Sequence, residues 1–402
     1  MKFFKLFDVV IISCLTVISC NKKNVEVQDG LPYLINFEQC ISKAQNINIS
    51  DLADTIDLIE LKSPEELPIS MVWDFISVRN HWFIHTSEGV YKFTNRGEYV
   101  ATISNKGQGP SEYASLWGIA VDTVHNELII NDIRKLIFFD LDGNYLRMEQ
   151  KKGLLYRCDF SGTTLWGTGM GLNTHKYTLY GLDRQRDTVY SVHNPFYGIK
   201  PISAGGGSMM SLWKPFYHYK DELYLNGPAS NDTIYQLKGN QCIPYAAFDM
   251  GKYKLPLKYE AWNNYEAHWK NGYHYWNIPA ITEDERYLFI LAQRYAPENG
   301  DRSKRTGIYR YVMYDKQTRK GFMVNEDENM QIVDDILGGP PIWPTWITND
   351  YYVSVINPYS YENRIEEGDY SPSTHLQEII SSWNYDTNII LMLCHKKKMN
   401  QR

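Results

Sequence analysis

Phe93-Thr94-Asn95-Arg96-Gly97-Glu98-Tyr99-Val100 returns 46 residues later as Phe139-Asp140-Leu141-Asp142-Gly143-Asn144-Tyr145-Leu146. In both copies an aromatic residue ends an apolar run, a polar turn closes on Gly, and a second apolar run begins. That order is a hairpin, because alternation buries one face of each strand and Gly supplies the positive φ of a tight turn. Recurrence at about 45 residues is the spacing of a four-stranded propeller blade.

Walking outward in that register gives six units, starting near Trp73, Gly118, Tyr156, Pro215, Ile278 and Trp343. Unit one is predicted to hold strands at 73–78, 81–86, 89–94 and 98–104. Unit two is predicted to hold them at 118–123, 127–132, 136–140 and 144–150. Units three to five keep the pattern with longer loops, and Asp187-Thr188-Val189-Tyr190 and Asp232-Thr233-Ile234-Tyr235 are repeated strand starts. Unit six offers only 343–348, 350–356 and Asn388 to His395. Its missing outer strand is assigned to 55–61, which precedes unit one and has no partner of its own. An N-terminal strand that completes the last blade joins the ends of a ring and removes an open sheet edge. No segment before residue 255 carries a helical period. The expectation is all-β: one six-bladed β-propeller over residues 51–398, with 399–402 as a tail.

The composition agrees. A chain of 402 residues with 43% hydrophobic residues can bury a large core, and its net charge of −6 comes with no basic block. Nucleic acid is therefore excluded as the main partner, because neutralising phosphates takes clustered Lys and Arg. Aromatics reach 14%, with 31 Tyr against 15 Phe, which suits β cores and amphipathic contact surfaces.

The first residues read as an address. Lys2 and Lys5 precede an apolar stretch from Val9 to Ile18, too short to span a bilayer, that ends at Val17-Ile18-Ser19-Cys20. A small residue followed by Cys resembles the lipobox of bacterial lipoproteins. The resemblance implies removal of residues 1–19 and acylation of Cys20, palmitate among the chains. Two or more chains make a stable anchor where one is marginal. The mature chain would carry 39 basic and 46 acidic side chains. Residues 20–50 are expected to be a polar tether, and Asn21 after the Cys is compatible with an outer-membrane destination. Cys40, Cys158, Cys242 and Cys394 are far apart without CxxC, so zinc is not expected and buried free thiols are.

A family resemblance enters with four motifs. Gly107-Gln108-Gly109-Pro110-Ser111-Glu112-Tyr113 is similar to a GQGPGEY signature, with Ser111 where Gly is usual. Asp249-Met250-Gly251-Lys252-Tyr253-Lys254-Leu255-Pro256 is similar to DFGKYKLP. Asp335 to Pro344 and Asn388 to Leu393 match two further segments, the last without its Pro. Together they resemble a largely uncharacterised family of six-bladed, NHL- and TolB-like propeller lipoproteins of Gram-negative anaerobes. The resemblance runs from about residue 50 to the end and implies no reaction, since fold does not fix function.

Candidate chemistry lies on the connections between blades, which share one face with the second-to-third-strand loops. The longest such loops are expected at 293–307 and 357–386, the latter with a short helix from Gln377 to Trp383. Candidate ligand-binding residues are Gln108, Glu112 and Tyr113 in the Gly-rich motif, and Trp262, Tyr265, Trp269, Tyr273 and Trp276 in the aromatic connection. Trp343 joins them at the start of unit six. Exposed rings there can stack on sugars or grip a peptide. The same rings can cap the blades, and the glycines can serve a turn alone. No HExxH or GxSxG occurs, and Gly205-Gly206-Gly207 lacks the Lys-Ser/Thr of a phosphate loop. His268 and His274 with Asp334 and Asp335 are the acid–base alternative. The expected function is a lipid-anchored, monomeric, non-catalytic envelope propeller without cofactor, binding a glycan, peptide or partner protein. A hydrolase or lyase and a structural envelope subunit are the alternatives.

Overall fold

The computed structural model describes residues 33–398 except 65–66, 68, 152–154, 170–174, 203–213, 228–231, 261–262, 299–300, 326–330, 367–371 and 384–387. Six antiparallel sheets of four core strands form the ring of a six-bladed propeller. Blade one is Val72–Val78, His81–Thr86, Val90–Thr94 and Tyr99–Ser104. Blade two is Leu116–Asp122, Glu127–Asp132, Lys135–Asp140 and Tyr145–Gln150. The inner strands of blades three to six are Arg157–Ser161, Phe216–Tyr219, Asn277–Glu283 and Trp346–Ile347.

The repeated octet works through the same atoms in both copies. Thr94 Oγ1 accepts the amides of Arg96 and Glu98, each at 3.2 Å. Asp140 Oδ1 accepts those of Asp142 at 2.9 Å and Asn144 at 2.8 Å. A side-chain acceptor that folds the backbone over itself is the reason Thr and Asp suit this position. Gly97 and Gly143 then take φ of +80° and +98°. The flanking rings meet edge to face at 6.0 Å in both, Phe93 on Tyr99 and Phe139 on Tyr145. Side chains from facing blades fill the space between sheets; Phe83, Val90, Ile119, Ile130 and Phe139 do so between blades one and two.

The ring closes as the strand arithmetic requires. Ala53–Glu60 pairs antiparallel with Ile390–Lys396, from Thr55 opposite His395 to Glu60 opposite Ile390. The chain then passes Gly97, whose carbonyl takes the Lys62 amide at 2.9 Å. A Cβ on Gly97 would stand 2.1 Å from the Glu60 carbonyl oxygen, so this glycine serves the closure as well as the turn.

The tether expected over 20–50 is corrected for residues 33–50. Tyr33–Asn36 adds a parallel fifth strand to Gln241–Asp249 of blade four, and Ala44–Gln45 adds one to Lys320–Val324 of blade five. Between them lies a helix, Phe37–Ser42, capped by Asn36 Oδ1 on the Gln39 amide at 2.8 Å. Ile35, Phe37 and Ile49 are wholly buried; each such side chain contributes roughly 1.5–3 kcal/mol of burial. Cys40 seats against Gly321, where a Cβ would stand 2.1 Å from its Sγ. The segment covers two outer strands that would otherwise present open edges.

Blade five departs from expectation as well. Residues 293–298 and 301–307 continue the sheet, since Tyr287–Glu298 pairs with Asp301–Asp315 beyond Ala296 opposite Thr306. The expected helix near 377 spans Thr374–Ile380, starting earlier because Ser373 Oγ caps the Leu376 amide. All four described cysteines are free, and burial pushes the Cys40 and Cys158 thiols up to about 12. They are inert as nucleophiles.

Candidate functional site

Each inner strand starts at the face crossed by the blade-to-blade connections, here called the upper face, and ends at the first tight turn of its blade on the lower face. The Gly-rich connection after blade one folds on itself. Glu112 Oε2 accepts the Gly109 amide at 2.7 Å, Lys135 donates to the Gly109 carbonyl at 2.8 Å, and Tyr113 donates to the Glu88 carbonyl at 3.2 Å. A Cβ on Gly107 would stand 2.0 Å from the Glu112 carboxylate. Tyr113 is buried in the core between blades one and two, and Gln108 alone of the three named residues is exposed.

The aromatic connection divides similarly. Trp262 and the Gly205–Gly207 run lie outside the described residues, as does Cys20. Tyr265 opens the helix Tyr265–Asn271. Trp269 is half-buried, with rings at 4.6 Å from His268 and 6.0 Å from Tyr295 of the blade-five hairpin. Trp276 is buried against Phe37, with Arg294 and Arg310 over its face at 5.3 and 5.6 Å. Trp343 is buried between Phe289 and Tyr311. Tyr113, Trp276 and Trp343 are therefore corrected from ligand contacts to packing groups, because their rings already lie inside core clusters.

The acid–base alternative does not assemble. Asp334 is 4% exposed and accepts the amides of Ile336, Leu337 and Gly339; burial raises its carboxyl above the ordinary value. Asp335 holds Ser50 through both oxygens, at 3.0 Å to its amide and 2.5 Å to its hydroxyl. His268 Nδ1 lies 2.8 Å from the Tyr259 carbonyl, and the ring of exposed His274 lies tilted against Tyr273 with centroids 3.9 Å apart. Each group is committed to a different local contact. Among the described residues no group of three or more His, Cys, Asp and Glu could hold a metal ion.

A different set converges where the inner strands begin. Trp73 is 54% exposed at the upper end of blade one. Beside it Asp74 Oδ1 accepts the Trp346 indole N–H from blade six at 3.1 Å. Lys214, at the head of blade four, stands 4.1 Å above the Trp346 ring and donates to the Thr345 carbonyl at 3.1 Å. Trp117 of blade two meets Tyr156 of blade three at 5.5 Å. Lys151 covers the Trp117 ring at 4.8 Å and Arg157 the Tyr156 ring at 5.2 Å. One step down, His218 Nε2 lies 3.0 Å from Asp159 Oδ2 across blades three and four. These residues line the mouth of the axial channel.

Its charges are mixed, with Lys151, Arg157 and Lys214 set near Asp74, Asp132 and Asp159. Burial pulls Lys214 down to about 8, with Asp74 and Asp159 opposing the fall and Arg157 adding to it. Burial likewise pulls Lys151 to about 8. His218 is raised: burial works against its charge, and Asp159 outweighs that. The mouth is built from strand heads, whereas the candidate residues named from the sequence lie mostly on the connections. The signal was available, since Trp73, Trp117, Tyr156 and Trp346 all stand at or within a few residues of unit starts.

The chain matches, over residues 32–395, the model of a family described as a domain of unknown function, DUF4934. It belongs to that family. No curated protein matches the chain. For this DUF4934 chain the crystal structure of a Bacteroides fragilis protein described as exported gives a TM-score of 0.68 at 18% identity, covering 91% of this chain and 99% of that one. At that identity the likeness concerns the fold. BamB from Moraxella catarrhalis gives a TM-score of 0.37 at 13% identity, covering 70% of this chain and 81% of that one. The extracellular domain of a one-component system from B. thetaiotaomicron gives 0.38 at 13% identity, covering 67% and 29%. Scores at that level carry no argument.

Proposed function

We propose that the protein is an exported, non-catalytic binding propeller of the cell envelope, anchored through acylated Cys20, that takes its ligand at the upper channel mouth. One observation carries the reading: rings from four blades stand at the mouth, Trp117, Tyr156 and Trp346 each under a cation and Trp73 exposed. Rigid strands holding amphipathic rings around a concavity suit recognition of a glycan, peptide or protein loop. Binding is favoured over catalysis because Asp334, Asp335 and His268 are engaged in local structure.

The test is retention of envelope material on the purified chain, compared with Trp73→Ala and Trp117→Ala. Loss of capture with an unchanged melting curve supports the mouth; equal capture by both variants rejects it. Anchoring is checked separately, since Cys20→Ala is expected to move the protein from the membrane to the soluble fraction and to abolish acyl labelling.

A further inference from the structure

The mouth holds three basic side chains, Lys151, Arg157 and Lys214, and none has a carboxylate within ion-pair distance among the described residues. Arg157 goes further: its buried Nε has no hydrogen-bond partner among the described residues. The nearby acids are engaged elsewhere. Asp74 accepts from Trp346 and from its neighbour's amide, Asp159 from His218 and the Phe160 amide, and Asp132 from the amides of Ala114, Ser115 and Arg134. Asp74 and Asp159 act on Lys214 and Asp132 on Lys151 through space only, and a half-buried cation without a direct partner favours an added anion. Space is kept for one of them: a Cβ on Gly118 would stand 3.1 Å from Arg157 Nη1.

The rings are placed between the cations. Around the mouth the order is Lys151 on Trp117, Trp117 against Tyr156, Arg157 on Tyr156, then Lys214 on Trp346, with Trp73 exposed beside Asp74. Cations for an anionic group and flat rings for C–H faces describe one ligand class. We propose that the channel mouth binds an anionic saccharide, its carboxylate or sulfate held by Arg157 and Lys214 and its rings packed on the Trp73, Trp117 and Tyr156 side chains. The inference rests on the binding reading above and names the ligand class for it.

The experiment is calorimetric titration of the intact chain with four probes at physiological salt: oligogalacturonate, a sulfated chondroitin oligosaccharide, a neutral cello-oligosaccharide and a poly-glutamate peptide. Binding of the uronate or the sulfate is expected, and the tighter of the two identifies the anion. Arg157→Gln and Lys214→Gln are each expected to weaken it by about tenfold to a hundredfold, the loss of one charge-assisted contact. Trp73→Ala is expected to weaken it by about tenfold through lost stacking. Unchanged melting curves show that the variants are folded. Binding of the neutral sugar as tightly as the acidic ones, insensitive to Arg157→Gln and Lys214→Gln, overturns this inference while leaving the binding reading intact. Equal binding of poly-glutamate, insensitive to Trp73→Ala, overturns the saccharide. Failure of both anionic sugars to bind overturns it as well.

Discussion

Two polar regions of this propeller share a composition and differ in completeness. At the lower end of blade five, Glu283 accepts from the Tyr217 hydroxyl at 3.0 Å, the Tyr245 hydroxyl at 2.5 Å and Lys316 at 2.6 Å. Lys316 also donates to the Asp284 carbonyl, and Asp284 accepts from the Arg286 and Tyr287 amides and from the Tyr352 hydroxyl of blade six. Every charge there has a partner, and blades four, five and six are tied together. Burial and the Glu283 charge push the Tyr217 and Tyr245 phenols up, which keeps them donors. At the upper mouth Lys151, Arg157 and Lys214 lie against rings, two of them donate to carbonyls, and none has a carboxylate within ion-pair distance among the described residues. A saturated buried network serves the fold, whereas an unsaturated one on a solvent-reached rim is poised for a ligand.

The comparison breaks first at Lys316. Lys316→Met leaves Glu283 buried without its cation and should cost roughly 3–5 kcal/mol, read as a fall in the urea midpoint. A loss below about 1 kcal/mol would mean that the lower network is not what holds these blades.

The second effect is acid sensitivity beside the mouth. Burial depresses His85 from 6.5 to about 4, with Asp74 opposing and Arg157 reinforcing the fall. The unfolded chain therefore takes up a proton near pH 6.5 that the folded chain refuses until about pH 4. Stability should fall over that window as pH drops, by about 3 kcal/mol in full. His85→Gln should flatten that limb in urea titrations at several pH values. His218 works in the opposite sense, since a raised pKa adds stability below the unfolded value that is lost as pH rises through the folded one.

The smallest effect separates the Gly-rich motif from the mouth. Glu112→Ala removes the carboxylate that accepts the Gly109 amide, and about 1–2 kcal/mol of stability should go with it. Ligand affinity should hold, because this carboxylate closes its own turn.

What the sequence made legible was whatever depends on neighbours in the chain. The octets at 93 and 139 specify their turns through Thr94, Asp140, Gly97 and Gly143, so the blade repeat could be read directly. Closure by Ala53–Glu60 followed from counting strands. Residues 33–50 were misread because a four-residue strand and a six-residue helix carry too little period, and their order comes from the open edges of blades four and five. Asp334 and Asp335 looked like chemistry since a carboxylate that caps backbone amides and one that catalyses have the same letter. The upper mouth was missed for a geometric reason: Lys151, Arg157 and Lys214 are far apart in sequence, and only the ring places them around one axis.

The account turns on Lys214 serving a ligand rather than the fold, and the decisive measurement is the melting temperature of wild type and Lys214→Gln, each with and without the tighter-binding anionic oligosaccharide. Removing a half-buried charge that has no direct ion-pair partner should leave the unliganded melting temperature equal or higher, and the ligand should raise it clearly less in the variant than in wild type. A Lys214→Gln protein that melts well below wild type yet shows the same ligand-induced rise would contradict the account.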